Sequence, residues 1–112
     1  MRDIIKRVLN EIQQPKFEEF AQKRYDGAKK ITDNAKEKGG PALLTYHHFR
    51  VKLPYYKDAA EGKFNLDETK KEFKEHLDEL CGLSKDVDMG QVDFQKLVGI
   101  IEVLGELIIK SK

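Results

Sequence analysis

The residues best suited to chemistry are three histidines that stand near acidic residues. His47 and His48 are adjacent, and Glu72 and His76 are four residues apart in a predicted helix. Adjacent helical residues project about 100° apart, so only one of His47 and His48 can face a shared ligand. Imidazole and carboxylate groups both coordinate transition metals. One alternative is therefore a small metal-binding protein or metal-dependent enzyme with His48, Glu72 and His76 as ligands.

Other features of the sequence weaken this alternative. Such spacing occurs in any highly charged helix, and neither the His-Glu-x-x-His motif nor the repeated Glu-x-x-His motif of di-iron bundles is present. Cys81 is the only cysteine, and no neighbouring base marks it as a nucleophile rather than a small apolar residue. We therefore predict no catalytic residues and no cofactor, and we favour a non-enzymatic protein.

A second alternative is an accessory nucleic-acid binder. Lysines precede and follow Gly39-Gly40-Pro41, and aromatic residues lie near them, as single-strand binding would require. However, acidic residues interrupt this tract, and the whole chain has 21 Lys and Arg against 20 Asp and Glu. A net charge of +1 lacks the basic excess typical of nucleic-acid binders. Gly39-Gly40-Pro41 also lacks the spacing of a phosphate-binding loop, so we interpret it as a turn between helices.

Aromatic residues and histidines cluster around Pro54. Tyrosine needs a hydrogen-bond partner when it is buried, and it is favoured at protein interfaces. Two interpretations stay open, namely packing at the edge of the core and a binding surface. The candidate binding surface consists of Tyr46, His47, His48, Phe49, Tyr55 and Tyr56.

The segment 48–56, HFRVKLPYY, resembles a motif of a small helical family of unknown function that is found in phage and prokaryotic genomes. In that motif a histidine is followed by a proline and then by two tyrosines. The spacing from His48 to Tyr55 and Tyr56 matches, but Pro54 directly precedes the tyrosines, where the family usually has Pro-Asp. The resemblance implies a small helical protein. It implies no activity, because the family has none assigned.

Helical periodicity, interrupted by glycine and proline, predicts the elements that carry these residues. The first two predicted helices cover residues 2–13 and then Pro15 to about Lys38, where Gly39-Gly40 ends the second. A third covers 42–53, and Pro54 should break or kink it before a short helix over 54–61. A fourth runs from an Asn65 cap, with Glu68 as its capping-box partner, to Gly82.

The last predicted helix, about 89–110, is apolar over most of its circumference. Asp88 is its predicted cap. Its polar residues fall in one narrow stripe: Gln95, Lys96, Gly99, Glu102, Glu106 and Lys110. Such a helix needs cover on several sides, so it is either the centre of a bundle or part of a subunit interface.

Together these patterns predict an all-α fold, a compact bundle of four to five helices around a mostly apolar C-terminal helix. We expect a single domain over residues 1–112. Its predicted core is Ile5, Leu9, Phe17, Phe20, Leu44, Phe73, Leu77, Leu97, Ile101 and Leu104.

The leading functional hypothesis is a non-enzymatic interaction or structural protein, with self-association through helices one and five or binding of a protein partner. We find no signal for secretion or membrane insertion, and we therefore expect a cytoplasmic location, in a cell or in a virus-infected cell. The sequence does not identify a small-molecule ligand.

Overall fold

The structure, a computed structural model, describes residues 2–82 and 90–112, and the side chains of residues 16–82 and 90–112. Its elements are α1 (Arg2–Lys38), a 3-10 turn (Gly40–Ala42), α2 (Leu43–Arg50), α3 (Leu53–Ala60), α4 (Leu66–Gly82) and α5 (Gln91–Lys110). These described residues contain no strand. The predicted all-α class is therefore confirmed.

α1 is one helix where the sequence predicted two. The first helix was expected to end before Pro15, yet the helical backbone continues through it. Proline lacks a backbone N–H, but its fixed φ near −65° suits a helix. Continuing the helix forfeits about one hydrogen bond, whereas a break would leave two helix ends to be capped. The predicted boundary at Pro15 is wrong, while the end at Gly39 and Gly40, with φ of 59° and 54°, is correct.

α2 and α3 form a single ridge with a short interruption at Val51 and Lys52. Both residues keep helical φ values, −67° and −77°, and the Tyr56 N–H donates to the Lys52 carbonyl at 3.1 Å. The break or kink was expected at Leu53, but Leu53 is the first residue of α3, and Pro54 lies in the first turn of that helix, where its missing N–H costs no helical hydrogen bond. Because the helical turn persists, His48, Lys52 and Tyr56 lie along one side of this ridge.

The start of α4 agrees with the sequence. The Glu68 N–H donates to the side-chain oxygen of Asn65 at 3.0 Å, which is the predicted cap. α5 begins at Gln91, directly after Gly90. Its predicted cap, Asp88, lies outside the described residues.

The helices pack in the order α1, α2–α3, α5 and α4. α1 contacts α2 and α3, the α2–α3 ridge contacts α5, and α4 packs on the other side of α5. The predicted bundle around the C-terminal helix is therefore confirmed. Within the described residues, every helix is too short or too polar to cross a lipid bilayer.

The core forms where α1, α3 and α5 meet. Val103, Leu104 and Leu107 of α5 are at most 1% exposed and belong to one cluster with Tyr56 and small residues of α1 and α3. The small residues are Ala21, Ala28 and Ala59. Alanine adds little bulk, so the backbones of these helices can approach closely, and the removal of apolar surface from water stabilises the fold.

The predicted core is correct for α5 and less so for α4. Leu97 and Leu104 are buried, but Leu77 is 37% exposed, so its assignment to the core is wrong. A helix such as α4, which packs mainly against one neighbour, covers only part of its apolar stripe. Five of the other predicted core residues are half-buried: Phe17, Phe20, Leu44, Phe73 and Ile101. The side chains of Ile5 and Leu9 lie outside the described set.

Candidate functional site

A row of polar side chains joins the α2–α3 ridge to α5. We call it the polar seam, and it consists of His48, Lys52 and Tyr56 on the ridge with Gln95, Glu102 and Glu106 on α5. His48 Nδ1 lies 3.1 Å from Gln95 Oε1, and its Nε2 lies 2.8 Å from Glu102 Oε2. The Lys52 ammonium donates to the same Glu102 oxygen at 2.9 Å. One carboxylate therefore binds two side chains of the ridge.

The lower half of the polar seam contains a buried tyrosine. Tyr56 is 4% exposed, and its hydroxyl donates to Glu106 Oε1 at 2.6 Å. Arg24 of α1 lies 3.6 Å from the same oxygen, so this carboxylate ties three helices together. Burial, the hydrogen bond to Glu106 and the Glu106 charge together raise the pKa of Tyr56 well above its ordinary 10.0. The phenol therefore remains a donor across the physiological pH range.

The charge of Glu102 is stabilised by its partners. Burial alone would raise the pKa of this carboxyl, but the hydrogen bond and positive charge of Lys52, together with His48, hold it below its ordinary 4.5. Glu102 is thus ionised at neutral pH. Lys52 is 9% exposed, and its ammonium has this half-exposed carboxylate as its counter-charge.

A glycine allows the polar seam to close. A Cβ placed on Gly99 would overlap the backbone carbonyl of His48 and would lie 2.8 Å from Val51 Cγ2. The backbone of α2 therefore passes directly over α5 at this point. Gly99 stands between Gln95 and Glu102 in sequence, so this close approach brings both polar side chains within reach of the His48 ring.

The polar seam is suited to holding helices together. Its polar groups are bonded to one another, and satisfied groups of this kind specify how helices pack.

Among the described residues, no group of three or more His, Cys, Asp or Glu side chains could hold a metal ion. His48 is bonded within the polar seam, and His76 Nδ1 lies 3.7 Å from Glu79 Oε2. Glu72 lies near Tyr55, where burial and then the Glu72 charge raise the pKa of the tyrosine. Metal binding by His48, Glu72 and His76 stays a prediction without geometric support.

The six residues of the predicted binding surface do not share one exposed face. His48 and Tyr56 face α5, and Phe49 and Tyr55 pack against the core. Tyr46 and His47 are half-buried neighbours with ring centroids 5.0 Å apart, and Arg50 lies over the Tyr46 ring. Successive helical positions point in different directions, which explains the dispersal.

Two concave regions remain as candidate binding sites. The α5 groove, of about 520 Å³, runs along α5 beside the polar seam and is lined by Lys52, Tyr56, Ile101, Glu102, Gly105, Glu106, Ile109 and Lys110. The end pocket, of about 750 Å³, lies at one end of the bundle and is lined by Lys16, Phe17, Glu18, Phe20, Ala59, Gly62, Phe64, Leu66, Lys110, Ser111 and Lys112. Neither region was predicted from the sequence, because each combines residues from distant elements.

The stripe of polar residues on α5 was predicted from its spacing, but its partner was not. The stripe packs on the α2–α3 ridge, where His48, Lys52 and Tyr56 recur every four residues. This recurrence places the three residues on one helix face, but it does not identify the helix that they face.

No protein-family model, curated protein or solved structure matches this chain. The resemblance of residues 48–56 to a small helical family therefore stays a prediction.

Proposed function

We propose that this chain is a non-enzymatic interaction protein that self-associates through the α5 groove. The observation that carries the proposal is an apolar stripe on α5 that is half-buried at Ile101 and Gly105 and exposed at Ile109. Ile109 is 68% exposed, and it lines the same groove as Ile101 and Gly105. Large apolar side chains left in contact with water mark interaction surfaces when they lie together in a groove.

The spacing of this stripe suits a second copy of the same chain. Ile101, Gly105 and Ile109 recur every four residues, so the stripe has the same order of residue types in either direction from Gly105. In an antiparallel, two-fold arrangement, the protruding Ile109 of each copy enters the groove of the other beside Ile101. Such an interface is isologous, the commonest type in soluble homo-oligomers.

The charges around the groove also suit self-association. Glu102 and Glu106 lie along one side, and Lys110 lies at the end of the helix. In the antiparallel arrangement, Lys110 of one copy approaches the acidic side of the other. Opposite charges at an interface rim favour the correct orientation, while they add little to the affinity.

The polar seam lies beside the α5 groove, and four of its residues also line the groove: Lys52, Tyr56, Glu102 and Glu106. These side chains are bonded to one another within the fold, so they are engaged in holding the bundle together. Ile109 is the residue of the apolar stripe that the fold leaves most exposed.

Two matched variants test this proposal by sedimentation velocity over a range of protein concentrations. Ile109→Asp places a charge in the α5 groove, and we expect a monomer at every concentration. Ile31→Asp makes the same change at another exposed isoleucine, 40% exposed on α1, and should sediment like the wild type. A wild type that is monomeric throughout, or equal behaviour of the two variants, would contradict the proposal.

A further inference from the structure

The end pocket has an aromatic interior. Phe17 of α1 packs against Phe64 of the α3–α4 connection, with ring centroids 5.0 Å apart and an interplanar angle of 56°. Phe20, one helical turn further along α1, also lines the pocket. All three rings are half-buried. They offer an apolar surface that is already assembled before any ligand arrives.

The rim of the end pocket is positively charged. Lys16, Lys110 and Lys112 line it, against one carboxylate from Glu18. The Lys110 ammonium lies 5.4 Å from the centroid of the Phe20 ring, so a positive charge stands directly beside the aromatic interior. The Glu18 carboxylate packs close to Gly62, since its Oε1 lies 3.1 Å from where a Cβ of that glycine would be.

We propose that the end pocket binds an amphipathic anion, namely a carboxylate that carries a single acyl chain. The chain would lie on the phenylalanine rings, where its removal from water is favourable. The carboxylate would lie among the lysines, which form charge-assisted hydrogen bonds with it. The pocket volume of about 750 Å³ falls within the range of roughly 300–1,000 Å³ that is usual for small-molecule sites.

This binding site shares one residue with the proposed self-association surface. Lys110 lines both concave regions, so a test of the end pocket must leave it unchanged. Lys16 and Lys112 line the end pocket and are absent from the lining of the α5 groove. Lys70 and Lys74, exposed on α4, line neither region and provide a matched control.

The experiment is a titration with decanoate below its micelle concentration, followed by calorimetry and by the NMR signals of the backbone amides. Decanol and decyltrimethylammonium, with the same chain and a neutral or positive head, are titrated in parallel. We expect saturable binding of decanoate, weaker binding of decanol, and no measurable binding of the cation. The amide signals that move most should be those of Gly62, Phe64 and Ser111.

The paired variants separate a charge-selective site from general affinity for acyl chains. Lys16→Glu with Lys112→Glu should raise the Kd for decanoate by about fivefold or more, because two favourable charges become repulsive. Lys70→Glu with Lys74→Glu makes the same change in net charge and should leave the Kd within about twofold of wild type. The proposal is overturned by equal Kd changes in the two pairs, by equal binding of anion and cation, or by movement of α5 groove signals alone.

Discussion

The two flanks of α5 are built on different principles. On the side of the α2–α3 ridge, Gly99 allows backbone contact, and the polar seam fixes the position of each side chain. On the side of α4, the Phe73 ring packs against Gly105, with Cε2 3.3 Å from where a Cβ would be. One flank is held by directional bonds, and the other is held by the packing of an aromatic ring.

This difference explains which surfaces are available for binding. Directional hydrogen bonds permit one register between helices, whereas apolar contacts tolerate small displacements. The flank toward α4 leaves large apolar residues partly in water, with Leu77 37% and Phe94 42% exposed. The fold therefore holds one flank of α5 by directional bonds and leaves large apolar side chains partly exposed on the flank toward α4.

The largest expected effect comes from breaking the contact at Gly99. In Gly99→Ala the new methyl group meets a backbone carbonyl that cannot move without displacing α2, so we expect a loss of about 2–3 kcal/mol in the free energy of unfolding. In Gly105→Ala the Phe73 ring can move, and the gain of about 1 kcal/mol in helix propensity offsets the crowding. Urea denaturation should therefore place the second variant within about 1 kcal/mol of wild type. Equal losses at the two glycines would show that the flanks do not differ as described.

The next largest loss of stability is expected when the buried hydrogen bond of the polar seam is removed. Tyr56→Phe removes the donor to Glu106 and should lower the free energy of unfolding by about 1.5–2 kcal/mol, as for other hydrogen bonds to charged groups. Tyr46→Phe is the control, since that ring contacts His47 and Arg50 near the surface. The free energy of unfolding of Tyr46→Phe should stay within about 0.5 kcal/mol of wild type. If the two variants were equally stable, the Tyr56 hydroxyl would not contribute as proposed.

Alkaline pH should weaken the same bond without a mutation. The pKa of Tyr56 is higher in the folded protein than its ordinary 10.0 because of burial and Glu106. The stability that this raised pKa provides is complete below pH 10 and falls as the pH rises above 10, since the unfolded chain releases the proton first. The stability difference between wild type and Tyr56→Phe should therefore narrow above pH 10. Tyr55, whose pKa is also raised, is present in both proteins and cancels. A difference that stays constant up to pH 11 would contradict this expectation.

The smallest effect is expected at the more exposed end of the polar seam. Glu102→Gln removes the charge that Lys52 and His48 share and should reduce the free energy of unfolding by about 0.5–1 kcal/mol, because the Glu102 side chain is 52% exposed. The lowered pKa of Glu102 means that its contribution is present above pH 4.5 and is lost as the pH falls through the folded value. The variant should therefore show a shallower loss of stability in acid than wild type. Glu79→Gln, at the surface pair with His76, should have less effect, and a larger effect there would contradict the ranking.

Local chemistry made much of the fold predictable from the sequence. The Asn65 cap and the glycines after Lys38 each depend on neighbouring residues, and both are found as expected. The break expected at Leu53 lies instead at Val51 and Lys52. The helix boundary predicted at Pro15 is wrong because a local rule predicts the strain of a proline but not whether the rest of a long helix tolerates it. The burial of the core alanines of α1, Ala21 and Ala28, depends on helices that follow later in the chain.

The candidate sites were less predictable because they are tertiary. His48, Lys52 and Tyr56 recur every four residues, and so do Ile101, Gly105 and Ile109. Nothing in either spacing says that the first set faces α5 or that the second remains uncovered. The histidines suggested metal binding because residue type is visible in a sequence, whereas the bonds of His48 to Gln95 and Glu102 are not.

Self-association through the α5 groove is tested by the mass of the wild-type protein in solution, measured by light scattering over a wide range of concentrations. If the open apolar stripe of α5 joins two copies, the mass should approach twice the 13.0 kDa of one chain at high concentration and fall toward 13.0 kDa on dilution. A mass of 13.0 kDa at every concentration would mean that Ile109 and its groove remain in water, and it would contradict self-association.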